Sequence, residues 1–315
     1  MNPHPENAPR PTDKPRVLFV GRATLDALYE LDSLPDEDTK IYARELRAAP
    51  GGPALNAAIT HALLGGQAML VTAVGGGPWA APVLNELNRL GVSLVDLAAG
   101  TAYEAPLCTV LLNSQNGSRT IVNPPISQVA LRRLGGSWSA EIPASWGPVP
   151  PVILCDGFFF EETAALLAAC KSAGAAICLD SGSWKPGTGE LAELLTAAIC
   201  SERFSVPGQN GSPDATFAWF AAKSVPHIAV TRGAKSILGW DRGRRFEIEV
   251  AEIATIDTLG AGDVLHGAFC HHFARSREFE PALRWASEIA TLSCQSLGIL
   301  AWASHESRAT EVEVS

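Results

Sequence analysis

The chain lacks most of the features that would send it to a membrane, a nucleic acid or a metal cluster. No run approaches the roughly 20 apolar residues of a spanning helix. A basic excess is missing too: 24 Lys and Arg stand against 33 Asp and Glu, a formal net charge of −9. That balance argues against nucleic acid or an anionic membrane surface as a partner. The basic cluster Arg242-Gly243-Arg244-Arg245 reads as a hairpin turn. Seven cysteines (Cys108, Cys155, Cys170, Cys178, Cys200, Cys270, Cys294) include no Cys-x-x-Cys pair, and most sit in apolar segments, as reduced core residues of a cytoplasmic protein do. The histidines show no His-Glu-x-x-His spacing; His266, His271 and His272 are expected on a helix surface or in packing. Without Gly-x-x-x-x-Gly-Lys-Ser/Thr, a Walker-type ATPase is disfavoured. Without Gly-x-Gly-x-x-Gly after the first strand, so is a dinucleotide enzyme.

What is present is a long alternation of buried strands and helices. At 315 residues and 47% apolar composition, the chain can bury a large α/β core. Residues 1–15 are polar and Pro-rich without a signal peptide's apolar stretch, so they are predicted as a disordered arm, and 306–315 as a loose tail. The run 16–21 reads as a buried parallel strand. Strands over 68–74, 92–97, 151–156 and 175–180 alternate with helices over 80–90 and 161–172, a βαβ rhythm that predicts a mainly parallel sheet between helices. Residues 22–49 and 101–124 alternate instead. The latter are folded about Asn116-Gly117, a hairpin signal, and together these stretches predict a small β-sheet lid. Residues 135–150 read as a surface excursion whose tryptophans pack locally. Asp156 and Asp180 fall at strand carboxyl ends, where each is read as capping the turn that follows. A helix is expected over 282–297.

Two stretches carry chemistry. Gly51-Gly52-Pro53-Ala54-Leu55-Asn56 opens an Ala-rich helix with Pro at a plausible first position. Ile256-Asp257-Thr258-Leu259-Gly260-Ala261-Gly262-Asp263 feeds another helix through residues small enough for backbone to approach an anion. Exposed amides and the helix dipole make such a mouth a site for phosphate. Asp263, in the first turn, is placed either to cap the helix or to take a proton from a substrate hydroxyl.

The string from Asp257 to Asp263, followed by Gly267-Ala268-Phe269, resembles the C-terminal signature of the PfkB, or ribokinase-like, sugar kinases. Gly51-Gly52-x-x-x-Asn56 resembles their N-terminal motif, and Asp26 their sugar-gripping carboxylate. The resemblance spans Asp26 to Cys294, and the 113–122 hairpin and last helix resemble those of ketohexokinases. It implies a three-layer α/β fold and ATP-dependent phosphorylation of a sugar's primary hydroxyl, ketohexose-like or ribose-like. Asp263 would then be the general base, and Gly260, Ala261 and Gly262 the anion hole. Asp26, Gly52, Asn56 and Arg119 would bind the sugar, with Arg119 as well placed for nucleotide phosphates; Thr231, Gly233 and Cys294 would line the nucleotide. It also implies Mg²⁺, with Glu202 acting through water, a monovalent cation such as K⁺ beside Asp257, and a homodimer through the lid. Two departures stand out. Pro53 occupies a position that is often Asn or Lys in relatives, and the Asn of an Asn-x-x-Glu motif near Glu202 is absent. A ribokinase-like kinase of a nucleoside or other small alcohol, or a non-catalytic sugar-binding descendant, is the alternative.

Overall fold

The computed structural model describes residues 14–115, 117–209, 211–296, 298 and 300–305. Most of the expected N-terminal arm and all of the C-terminal tail lie outside them, as does Asn116. The strands are β1 (Arg16–Val20), β2 (Thr24–Leu31), β3 (Glu45–Gly51), β4 (Gln67–Thr72), β5 (Ser93–Asp96), β6 (Leu107–Asn113), β7 (Arg119–Val122), β8 (Val152–Cys155), β9 (Ala176–Ser181), β10 (Ala197–Ser201), β11 (His227–Arg232), β12 (Lys235–Asp241) and β13 (Arg244–Ile248). The helices are α1 (Pro53–Leu63), α2 (Ala80–Arg89), α3 (Trp138–Glu141), α4 (Phe160–Ser172), α5 (Thr188–Leu191), α6 (Pro213–Ala222), α7 (Ala261–Ser276) and α8 (Phe279–Ser293).

Nine strands form the main sheet in the order β13-β12-β11-β10-β9-β8-β1-β4-β5. It is parallel except at the edge, where β12 and β13 run antiparallel. Successive residues of β1 serve opposite faces, as a strand's period of two requires. Val17 and Phe19 join a core under α1, α2, α7 and α8; Leu18 and Val20 join another under α4 and α6. Burial on both faces explains why these strands read as continuous apolar runs. All seven cysteines are free, and six are fully buried. The excursion at 135–150 does pack its aromatics: Trp138 and Trp146 are 6.0 Å apart, and Trp146 is buried.

The alternating stretches make a second sheet of four strands, β3-β2-β6-β7. Its β3 ends at Gly51 and hands the chain directly to α1. The turn joining β12 to β13 holds both Arg242 and Gly243 at positive φ, 48° and 94°, which suits a tight hairpin. The last helix starts earlier than the sequence pattern suggests, at Phe279, because Pro281 falls in the first turn, where a missing N–H costs little.

Helices α1 and α7 lie side by side on one face, and Gly267 permits their approach. A Cβ there would meet Ala57 O at 2.4 Å and Thr60 Cβ at 2.7 Å. Gly to Ala in an open helix gains about 1 kcal/mol; here the sign reverses. Gly267→Ala is expected to lose about 1–3 kcal/mol by overpacking, read as a lower midpoint in thermal or denaturant unfolding.

Candidate functional site

The close crossing of α1 and α7 brings their N-termini to the carboxyl edge of the parallel strands, where open α/β sheets bind ligands. Both helices begin on a glycine with positive φ, Gly52 at 100° and Gly260 at 75°. Asn56 sits in the first turns of α1 and Asp263 in the first turn of α7. The Asn56 amide donates from Nδ2 to Asp263 Oδ2 at 2.7 Å. Asn56 itself is buried, and its Oδ1 has no hydrogen-bond partner among the described residues.

Around Asp263 the α7 turn is open. Gly262 is exposed. Among the described residues, no acceptor is bonded to the amides of Gly260, Gly262 or Asp263; Ala261 N–H makes a long bond, 3.3 Å, to Thr258 O. These are the N–H groups an α-helix leaves unsatisfied.

The carboxyl of Asp263 is pushed up to about 7. Burial is the largest cause, followed by the charge of Asp180; the Asn56 bond and His266 oppose them. Asp180, at the end of β9, lies 3.3 Å by Oδ2 from His266 Nδ1. The ring of His266 is held over the α7 turn, with Nδ1 2.7 Å from Gly262 O and Nε2 3.2 Å from Ile199 O on β10. His266 is thus a packed residue, as the sequence allowed, but one that touches the site. Its spacing of three from Asp263 and four from Gly262 on one helix was the available signal.

Asp156 does cap the turn that follows it, accepting Phe158 N–H on Oδ1 at 2.9 Å. It also does more: Oδ2 accepts Arg22 N–H at 2.8 Å and Ala54 N–H at 3.3 Å. It therefore serves the α1 N-terminus from across the sheet. Burial raises its carboxyl to about 6, against the charge of Lys185 and the amide bonds. Asp26 stands at the start of β2 with Oδ1 accepting from Thr24 Oγ1 at 2.7 Å. Burial raises this carboxyl too. Gly51 makes room for it, since a Cβ there would lie 2.1 Å from Asp26 Oδ2.

The remaining sequence candidates fall into separate small groups. Arg119 reaches from the lid to donate from Nη1 to Thr258 Oγ1 at 2.6 Å, so it meets the loop before α7. Asp257 is buried, accepting Leu259 N–H on Oδ1 at 2.8 Å and Gly298 N–H on Oδ2 at 3.0 Å. Its own amide donates to Cys294 O at 3.2 Å, which ties this loop to the end of α8. Thr231 is the penultimate residue of β11, and its carbonyl accepts Glu202 N–H at 2.8 Å. Gly233 turns the chain toward β12 with φ 62°. Among the described residues no three His, Cys, Asp or Glu side chains converge as a metal site. Along the sheet edge the order is therefore Arg22 and Asp156 at β1 and β8, Asp180 at β9, Glu202 at β10 and Thr231 at β11.

Because the folded state raises the Asp263 carboxyl, ionising it costs stability. That penalty is absent below the ordinary value of 3.8 and complete above about 7. Asp263→Asn is expected to melt higher than the parent at pH 8, with the gain shrinking as pH falls through that window. Parallel melting curves across pH check it; a gain that grows toward acid would contradict the assigned sign.

The sequence matches the pfkB family carbohydrate kinase pattern over residues 14–135 and 154–304. A ribokinase of Bacillus subtilis (strain 168) is 22% identical over 286 residues, covering 90% of this chain and 94% of its own. A structure of a putative ribokinase from Agrobacterium tumefaciens superposes with TM-score 0.78 at 24% identity, covering 96% of this chain and 100% of that one. A putative ribokinase II from E. coli, in complex with ATP and Mg²⁺, gives TM-score 0.74 at 17% identity over 96% and 100% of the two chains. No helix among the described residues is long and apolar enough to cross a membrane. With nearly the whole folded chain matched, a three-layer α/β sheet, a small second sheet and a carboxylate set among bare amides at a helix mouth, the chain belongs to the pfkB family of carbohydrate kinases.

Proposed function

We propose that this carbohydrate kinase moves the γ-phosphoryl group of ATP to a primary hydroxyl of a sugar, with Asp263 as general base. The observation that carries the reading is the Asn56–Asp263 hydrogen bond of 2.7 Å, set beside the open amides of the α7 turn. Asp26 and Asn56 form the acceptor end. Asn56 Oδ1, buried without a partner, supplies an acceptor for a sugar hydroxyl and so offsets the cost of its burial.

The hydroxyl oxygen forms its bond to the γ-phosphorus as its proton passes to Asp263. The bond from that phosphorus to the bridging oxygen breaks, and the charge leaves on ADP. Amides of Gly260 to Asp263 face the charge spread over the transferred group, in a setting where fixed donors act strongly. Thr231, Gly233 and Cys294 line the nucleotide, beyond Asp263 along the edge. Mg²⁺, when bound with the nucleotide, neutralises phosphate charge; the scattered carboxylates of this chain fit an outer contact from exposed Glu202 better than a protein cage. Asp257 would hold a monovalent cation only through the lone pairs that its two amide donors leave, and no step is routed through it.

Exposed apolar residues on the small sheet, Leu46 at 57% and Val122 at 56% exposure, support a homodimer paired through the lid; light scattering that returns a monomer would remove that part. The unpaired cysteines fit a cytoplasmic enzyme.

Release of ADP across a panel of sugars and nucleosides tests the acceptor class. Turnover with nucleosides and not with sugars would move the chain to the alternative acceptor. Asp263→Asn should bind ATP but lose on the order of 10²-fold or more in kcat; near-parental turnover would remove Asp263 from the role. Since the base must be ionised, kcat/KM is expected to climb with pH through the region near 7. Asn56→Ala removes the bond that lowers the Asp263 carboxyl, so it should weaken sugar binding and move that limb to higher pH.

A further inference from the structure

Arg22 and Lys185 stand apart from the chemistry above. Arg22 follows β1, and its guanidinium carbon lies 5.2 Å from the centre of the Phe158 ring. Lys185 follows β9, with Nζ 5.0 Å from the centre of the same ring. Both are partly buried. Among the described residues neither makes an ion pair; the Lys185 ammonium has only a long bond, 3.4 Å, to Ser183 O.

The carboxylates nearby face other groups, Asp180 lying 3.3 Å by Oδ2 from His266 Nδ1. Asp156 accepts backbone amides, from Arg22, Ala54 and Phe158. Asp26 accepts from Thr24, and Asp263 from Asn56. Partly desolvated cations that no carboxylate bonds directly are costly; the charges of Asp26 and Asp156, which act on them through space, and the ring between them recover only part of that cost. The position of the charges is informative. That of Arg22 acts on Asp26, Tyr103 and Cys108, on the lid side of the cleft. That of Lys185 acts on Asp156 and also on Cys200 of β10. The pair therefore flanks the acceptor end, while Thr231 and Gly233 mark the nucleotide end at β11.

We infer that Arg22 and Lys185, on either side of Phe158 at the carboxyl ends of β1, β8 and β9, select an acceptor that carries an anionic group as well as the hydroxyl presented to Asp263. This rests on the kinase reading and sharpens it: the substrate class is a sugar acid or a sugar phosphate, held by its carboxylate or phosphate. A chain of net charge −9 repels such a molecule at long range. Unpaired local cations supply the opposing attraction, and fixed donors to an anion make strong, oriented bonds.

The test uses the full-length chain and a panel of aldonates, uronates and sugar phosphates, each beside its neutral parent sugar or alditol. ADP release gives kcat/KM for every member, and calorimetry on Asp263→Asn with the same panel gives binding without turnover. The anionic members should exceed their neutral parents by on the order of tenfold or more, about 1.4 kcal/mol, and added salt should narrow the gap. Arg22→Gln and Lys185→Met, checked for folding by their melting curves, should each collapse that ratio by raising KM for the anionic member. The carboxylate and phosphate arms separate the two forms of anion.

Equal use of neutral and anionic members, or a ratio unmoved by either variant, overturns the assignment while ADP release upholds the kinase. A rise in the KM for ATP in place of the acceptor also overturns it, by moving the cations to the nucleotide. Tight binding of anionic members without ADP release from the parent chain does the reverse: anion selection stands and the kinase reading fails.

Discussion

One hydrogen bond, from the Asn56 amide to the Asp263 carboxylate at 2.7 Å, is the constraint on which the site depends. It joins residues separated by most of the chain, and it can form only if two helix N-termini arrive side by side at the same edge of the sheet. Gly267 is what lets them, since any side chain there would strike the α1 backbone at Ala57. The two Gly-rich motifs are therefore halves of one structure. One starts α1 from the end of the small sheet, the other starts α7, and the helix packing between them sets the distance between Asn56 and Asp263.

Packing of this kind crowds negative charge. Asp156, Asp180 and Asp263 share a buried edge: Asp180 raises both of the others, and Asp156 raises Asp263 as well. Each is managed by a different device. Asp156 is spread over backbone amides and the α1 dipole. Asp180 lies against His266. Asp263, raised by burial and then by Asp180, keeps a single side-chain donor to oppose them and stands at about 7, against about 6 for Asp156. A carboxyl near neutrality is what the proposed proton transfer calls for. Its cost is stability, which the large two-faced core supplies elsewhere.

How much of this was legible depended on whether the signal was local. The Gly-Ala-Gly-Asp turn and the Gly-Gly-Pro opening of α1 could be read because small residues and a capping pattern declare a helix mouth within a few positions. The parallel strands could be read because burial on both faces makes them apolar throughout, and the small sheet because residues 107–113 alternate buried and part-buried. What sequence could not give was the pairing of elements. Asp156 was read as a cap for its own turn, which it is, yet its other oxygen serves α1 from a strand about a hundred positions away. Asp180 meets His266 only through the order of β9, β10 and α7. Arg22 and Lys185 carry no motif at all; only the fold sets both against the Phe158 ring.

The small sheet is coupled to this edge in two places, and the coupling has a consequence. Its β3 runs into Gly51, which gives Asp26 its space and starts α1, while Arg119 of β7 donates to Thr258 in the loop that leads into the α7 turn. That same loop is pinned to α8 through Asp257 and the Cys294 carbonyl. A displacement of the small sheet therefore pulls on Asp26 at one end and on the α7 turn at the other. In the proposed reaction, ordering the small sheet over a bound sugar and ordering the amides around the transferred phosphoryl group become one mechanical event. Such linkage admits water least when the donors are best aligned, which is the condition under which a phosphoryl group is passed to a sugar and not lost to solvent.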